Sequence, residues 1–452
     1  MMEELQTVWF EIANWRARCK CVVTLLSALA FLSVVTPLKG AEGTAGTREQ
    51  VRELILQLDA KTLAERSRAE RGLLELGPAA LKSLPPPELI DSIPVRESVR
   101  RIRLQLERRA AEESSGPSRL FLHGTLTLKN ALQQMQKQTG NRISLDAAAT
   151  DKGDEELSVN WDQTPFWECL DDLCDRSQLQ WQLEKDSASI RVSRSKTTNS
   201  SVPAPVQRSG PFRLEAGRIE IRSTPGDDGQ RMLRFNGRLS IEPRLRPLFL
   251  TVSATDLKAA SEAGVPFEPW SPGARYEHPV GDGSHEVPVV WDFRLPESTD
   301  IDRFSIRGRI RCQIAASTER IVFDQASLEK GAMRRRGGVT VRLRNVAFDI
   351  DDSDRLKAEI GVAISYDGPG PAFESHRTWM FHNAAYLESG SGGRVDFNDF
   401  ETTQQSDGVV SVEYRWRALA APSRQYQFVY EAPTLIVDVP LEINLDKLTV
   451  TD

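Results

Sequence analysis

Two cysteines lie five positions apart in the stretch TPFWECLDDLC (residues 164–174), beside a tryptophan and three acids. Paired thiols among carboxylates could hold a metal ion or cycle through a disulfide. The spacing is Cys-x4-Cys rather than Cys-x-x-Cys, and no second pair or close histidine completes a zinc set. On a helix, Phe166, Cys169, Leu170, Leu173 and Cys174 fall at i, i+3, i+4, i+7 and i+8, a wide apolar stripe. Glu168, Asp171, Asp172 and Asp175 then take the opposite side, and Thr164-Pro165 supplies an N-cap followed by Pro at the first helical position. The expectation is that both thiols are small packed hydrophobes, with neither redox nor metal chemistry.

Other groups invite the same weighing. The acidic turns PGDDG (225–229) and DIDDSD (349–354) alternate carboxylates as calcium loops do. They lack the glycine at position six and the glutamate at position twelve of an EF-hand, and Asp-Gly hairpin turns need no ion. His278 and His285 share a loop with Asp282, and His376 and His382 flank Trp379; neither pair makes a metal set. Arg307, Arg309 and Arg311 share one strand face, and Arg334, Arg335 and Arg336 are consecutive. These six form the candidate anion- or partner-binding surface, for a glycan, a lipid head group or an acidic protein. The opposing reading is a solvated sheet face and a charged turn. No Gly-x-Ser-x-Gly, phosphate loop or His-Glu-x-x-His occurs, so the expectation is a chain with no catalytic, cofactor or metal residues.

The elements that hold these groups follow from length and pattern. A chain of 452 residues divides into two to four domains, and a net charge of −6 argues against a general nucleic-acid binder. At the N-terminus, Arg16, Arg18 and Lys20 precede the uncharged run CVVTLLSALAFLSVVTPL (21–38), then small residues. That is the layout of a secretory signal over residues 1–45, cleaved or retained as an anchor. Export to the periplasm, cell envelope or exterior is therefore expected, with membrane contact only if the segment is uncleaved. Cys169, Cys174 and Cys312 remain beyond it, an odd number and no disulfide framework.

Residues 47–113 read as helices, with Val51, Leu54, Ile55 and Leu58 on one face and Val95, Val99, Ile102 and Leu106 on another. Gly77-Pro78 stops one helix and starts the next. The pattern Arg-x-x-Ala…Leu-x-x-Leu-Gly-x-x-Ala-Leu around Arg66–Leu81 resembles a HEAT repeat, over one and a half units. Residues 119–195 hold a duplication: Leu128, Leu132 and Met135 recur 38 residues later as Phe166, Leu170 and Leu173. Each copy reads strand, helix, strand, which predicts a small α+β domain with helices on one face of a sheet. The segment LTLKNALQQMQKQTGNRISLD resembles the short N-terminal domain of secretins and TonB-dependent receptors. That resemblance implies an envelope location and protein contacts, and carries over no catalytic residue.

Residues 196–210, KTTNSSVPAPVQRSG, have linker composition, with a sequon at Asn199. Beyond them the period becomes two. In SIRGRIRCQI (305–314) the Ile306, Gly308, Ile310, Cys312 and Ile314 set alternates with the arginines. GGVTVRLRNVAFDI and PTLIVDVPLEINL alternate too, each with one phase shift that predicts a bulge. A second repeat pairs Leu233, Phe235, Leu239 and Ile241 with Leu356, Ala358, Val362 and Ile364, each 123 apart. Phe304, Ile306, Ile321 and Phe323 recur 122 residues on as Tyr426, Phe428, Ile443 and Leu445. Two tandem antiparallel β-sandwiches are expected, at 211–330 and 338–450. The whole reads as a mainly β multidomain chain and a non-enzymatic envelope binding or scaffold protein that contacts other proteins. The alternative is a carbohydrate- or anionic-polymer-binding protein using its sandwiches, with aromatics such as Trp270 or Trp379; an unrecognised hydrolase comes third.

Overall fold

The computed structural model describes residues 42–451 except 186, 196–203, 224–229, 282, 297–300, 337, 352–353, 367–382, 407–408 and 421–424. The expected signal through residue 41, the Asn199 sequon, the PGDDG turn, Asp282, His376, Trp379 and His382 lie outside the described residues.

The helical start contains α1 (Glu42–Gln57), α2 (Leu63–Glu75) and α3 (Ile93–Ser114). Thr62 caps α2 by accepting from the Glu65 N–H, while its hydroxyl donates to the Glu65 carboxylate. Beyond α2, Gly77 takes φ +69. The chain restarts only as a 3-10 turn, Gly77–Lys82, because the Pro85–Pro87 run leaves no room for a full helix. Val51, Leu73, Val99 and Leu106 form a small core, and Ala111 at the end of α3 packs into the β-region.

The next module runs β1 (Arg119–Thr127), α4 (Leu128–Thr139), β2 (Arg142–Leu145), β3 (Glu156–Pro165), α5 (Phe166–Ser177), β4 (Leu179–Glu184) and β5 (Ser189–Arg194). The duplicated strand-helix-strand order stands. The single sheet does not: β1 pairs only with β3, while β2 runs parallel to β5 and β5 antiparallel to β4. Entering strands pair with each other, and exit strands meet only through β5, so two sheets flank one core of Leu128, Leu132, Met135, Phe166, Leu170 and Leu173. The Gln138-Thr139-Gly140 triplet has a local purpose. Gln138 bonds both the N–H and the C=O of Phe121 on β1. Thr139 donates to the Met135 carbonyl and Gly140 ends α4 with φ +76.

The β-region contains β6 (Val206–Ser209), β7 (Phe212–Ser223), β8 (Arg231–Ile241), β9 (Pro247–Ser253), β10 (Leu257–Ser261), β11 (Pro266–Pro269), β12 (Arg275–Pro279), β13 (Glu286–Leu295) and β14 (Phe304–Phe323). Then follow β15 (Met333–Arg336), β16 (Val339–Ile350), β17 (Leu356–Tyr366), β18 (Ala385–Ser389), β19 (Arg394–Asp396), β20 (Asp399–Ser406), β21 (Val409–Leu419) and β22 (Tyr426–Leu448). The expected linker 196–210 is thus partly a strand: β6 forms an antiparallel hairpin with β7. Four short residues with one apolar side chain carry too little pattern to announce themselves.

Two cores form, one per repeat, but the chain does not divide between them as the repeat predicts. β14 and β22 pair antiparallel from Phe304↔Leu448 to Phe323↔Phe428. The first core takes Ile306 and Ile310 of β14 together with Val437, Leu441 and Ile443 of β22. The second takes Ile321 and Phe323 of β14 with Phe428 and Tyr430 of β22. Each repeat therefore lends the far half of its last strand to the other sandwich. The boundaries 211–330 and 338–450 are corrected accordingly. Ile314↔Val437 and Ala315↔Ile436 are neighbouring pairs, and 314 and 436 are themselves repeat mates. A pseudo-twofold axis accordingly passes through this point. The predicted phase shifts are register shifts at Leu343/Asn345 and at Ser317/Thr318, opposite Leu435 and Pro433.

Candidate interaction site

The cysteine helix shows how the modules are joined. Cys169 and Cys174 are buried free thiols, and burial pushes each up to about 12, helped by nearby carboxylates. A thiol so raised stays protonated at neutral pH and is a poor nucleophile. Thr164 is not the N-cap: it lies within β3 opposite Leu120, Pro165 ends the strand and occupies the cap, and the Phe166 N–H bonds to the Ser118 carbonyl. Nor is the acidic side wholly wet. Trp167 and Asp171 are buried with Cys174 at i, i+4 and i+7, a second stripe. Trp167 and Cys174 still pack into the module's own core, while Asp171 and the Trp167 indole N–H reach the first sandwich.

Asp171 is the hub of that contact. Its carboxylate accepts from Trp181 Nε1 at 2.9 Å, from Arg208 through Nε at 2.8 Å and a second guanidinium nitrogen, and from Arg213 Nε at 3.1 Å. Arg208 comes from β6 and Arg213 from β7, the hairpin of the first sandwich. The Arg213 guanidinium also stacks over Trp181 at 4.9 Å and donates to Glu215 at 2.7 Å. Trp167 Nε1 donates to the Pro211 carbonyl in the hairpin turn. Beside this contact runs a groove of about 480 Å³, charged on both walls by Asp175, Arg213, Glu215, Arg238 and Glu286.

A second knot lies beyond the end of β8. Glu242 is fully buried. It accepts from the Ser118 N–H at 3.0 Å, the Ser118 hydroxyl at 2.6 Å, Asn141 Nδ2 at 3.3 Å and Arg244 Nε at 2.6 Å. Arg244 in turn donates to the carbonyls of Ser114 and Gly116, after α3. One ion pair thus ties helical start, α+β module and first sandwich together. A buried carboxylate is tolerable only when so fully bonded.

The six arginines singled out by sequence separate into two kinds. Arg307 and Arg309 lie on the outer face of β14, as alternation predicts, but bond to Asp446 at 2.8 Å and to Glu442 at 2.5 Å on β22. Arg311 is exposed and has no ion pair among the described residues. Arg334, Arg335 and Arg336 form exposed β15 at the edge of the sheet β15-β16-β17-β21-β20, with Arg334 stacked over Phe323 at 5.7 Å. The structure does not bring the two sets into one site. Trp270 is half-buried under Arg294. His285 is buried, with its ring nitrogens on the Gly283 and Leu245 carbonyls, and no metal-binding cluster occurs among the described residues.

Sequence reasoning missed Asp171, Arg208, Arg213, Glu242 and Arg244. One signal was available: Trp167 widens the apolar stripe to a side where Asp171 then stands alone. No family model matches the chain, and no curated protein matches it at significant similarity. A solved structure, "pT26-6p", aligns over 54% of this chain and 64% of that one, at 8% identity and a TM-score of 0.16. The chain thus spans less than two thirds of that structure, and so loose a likeness carries no argument. Among the described residues no helix is long and apolar enough to cross a membrane.

Proposed function

We propose that the chain is a non-enzymatic, exported scaffold of the cell envelope that binds other proteins. The observation that carries this reading is the shared β14–β22 spine, which holds the binding faces of two sandwiches at a fixed spacing. The Glu242 and Asp171 knots extend the same rigidity to the α+β module and the helical start. Rigid multidomain proteins with edge strands and charged faces suit protein partners, which need area and placement more than a deep cavity. The basic n-region and apolar run at the N-terminus support export. The glycan or anionic-polymer reading draws less support, since Arg307 and Arg309 are already neutralised and Trp270 is covered.

Cross-linking and pull-down of the full chain from native envelopes tests the proposal, with mass spectrometry of the mature N-terminus on the same sample. Reproducible recovery of defined envelope proteins is the expected result. Recovery of none, or a soluble intracellular chain that keeps residues 1–45, overturns it.

A further inference from the structure

The pseudo-twofold relation allows each surface of one sandwich to be located on the other. Ser240 on β8 and Ala363 on β17 are repeat mates, 123 residues apart. Arg213 lies opposite Ser240, and Arg342 lies opposite Ala363. Arg342 therefore occupies in the second sandwich the place that Arg213 occupies in the first. On the adjoining hairpin strand, Arg208 faces Arg213, and Met333 faces Arg342. Two residues onward the first sandwich has Glu215; in the second the register shift at Leu343/Asn345 puts Asn345 at that place and inserts Arg344 before it.

In the first sandwich this outer face is covered. Its two arginines close on the buried Asp171, and Trp181 stacks on Arg213. In the second no described residue covers it, and it is more basic. Arg342 is exposed and, among the described residues, bonds to the Met333 sulfur at 3.5 Å. Arg344 is exposed and, among the described residues, bonds only neutral groups, Gln404 and Ser411. Carboxylates do occur further along the sheet, but Glu359 and Glu413 are taken up by Arg415. Met333, half exposed beside these cations, adds an adaptable apolar contact.

Resting on the scaffold reading above, we propose that the outer face of the β15–β16 hairpin, centred on Arg342 and Arg344, docks an acidic helix of a separate protein. A carboxylate of that helix seats on the arginines as Asp171 seats on Arg208 and Arg213. The occupant is not a second copy's α5, because that helix is already held by its own first sandwich. Charge-assisted bonds to a partly desolvated carboxylate supply the specificity, and the methionine accommodates the apolar neighbours of the acid.

A labelled peptide copying residues 164–178 serves as the probe, with its Asp171→Asn form as control and a heparin oligosaccharide as competitor. All are titrated against the full chain by fluorescence anisotropy. The proposal expects saturable binding, weakened about tenfold by Asp171→Asn and abolished by Arg342→Glu in the protein. The same charge change at exposed Lys258, on the far side of the first sandwich, leaves binding intact, and thermal melts confirm that both variants fold. Binding indifferent to Arg342→Glu overturns the assignment. So does binding of neither probe, or of heparin more strongly than the peptide, the last pointing to an anionic glycan. None of these outcomes bears on the pull-down, where partners recovered equally by the wild type and Arg342→Glu would leave the scaffold reading standing without this site.

Discussion

The two halves of the β-region share a strand plan and differ in what leans on them. The first is clamped by its neighbours through Glu242 and Asp171; among the described residues the second has no such neighbour at the matching place. The difference extends into the core. Gly308 on β14 and Tyr430 on β22 are repeat mates, and they pair with Leu257 and Ala385 in the same relative position. At Gly308 an added Cβ would stand 2.2 Å from the Asp256 carbonyl oxygen, because the chain entering β10 crosses directly above. At 430 the same position holds a whole buried tyrosine, whose hydroxyl accepts from Asn383. A duplicated plan thus fixes strand order, while loop placement decides which side chain each position can take.

The comparison can be broken at its strongest point first. Glu242→Ala strips the carboxylate from half-buried Arg244, and from Ser118 and Asn141, and should cost about 3–5 kcal/mol in chemical denaturation. The expected loss includes separation of the α+β module, visible as new proteolysis near residues 114–118. Gly308→Ala comes next, at about 3 kcal/mol, because the obstacle is backbone and must move. A loss below about 1 kcal/mol would mean that the β10 crossing yields easily. Asp171→Asn should cost about 2 kcal/mol and raise the solvent exposure of Trp181 in fluorescence, with the second sandwich unaffected.

Alkaline titration separates the halves differently. Cys312, fully buried in the first core, is pushed up to about 12 by burial and by Asp438, from an ordinary 9.0. Its neutral thiol contributes stability present below pH 9, which is lost between about 9 and 12 as the unfolded chain's thiol ionises first. Cys312→Ala should make that part of the stability profile shallower, leaving the share of Cys169 and Cys174 in the same window; at the matching place the second half has Thr434, which does not titrate. The smallest effect belongs to Arg309→Ala, about 0–1 kcal/mol, since both it and Glu442 are well exposed.

Local order was legible because it is periodic. The Cys169 and Cys174 helix stripe, the Ile306–Ile314 alternation and both duplications follow from spacing alone. Alternation says which residues point inward, but not into which core, so Ile321 and Val437 gave no sign of crossing between sandwiches. The contacts between modules were illegible for a related reason. Asp171 belongs by type to a solvated face, and it is buried by Arg213 of β7 and by Arg208, from a stretch with linker composition. Pairing of charges across some forty residues leaves no local pattern.

The shared spine also sets an order in time. Synthesis delivers β14 about a hundred residues before β22, yet the first core lacks Val437, Leu441 and Ile443 until β22 arrives. The C-terminus even returns to β7, where Thr451 bonds the Ile219 backbone twice. A nascent chain therefore carries an unfinished first sandwich, with β14 unpaired along its spine edge, until β22 and Thr451 leave the ribosome. Such long-range closure makes for slow folding and leaves the waiting strand open to wrong partners. A chain cut short before residue 426 would lose not one domain but the completion of both.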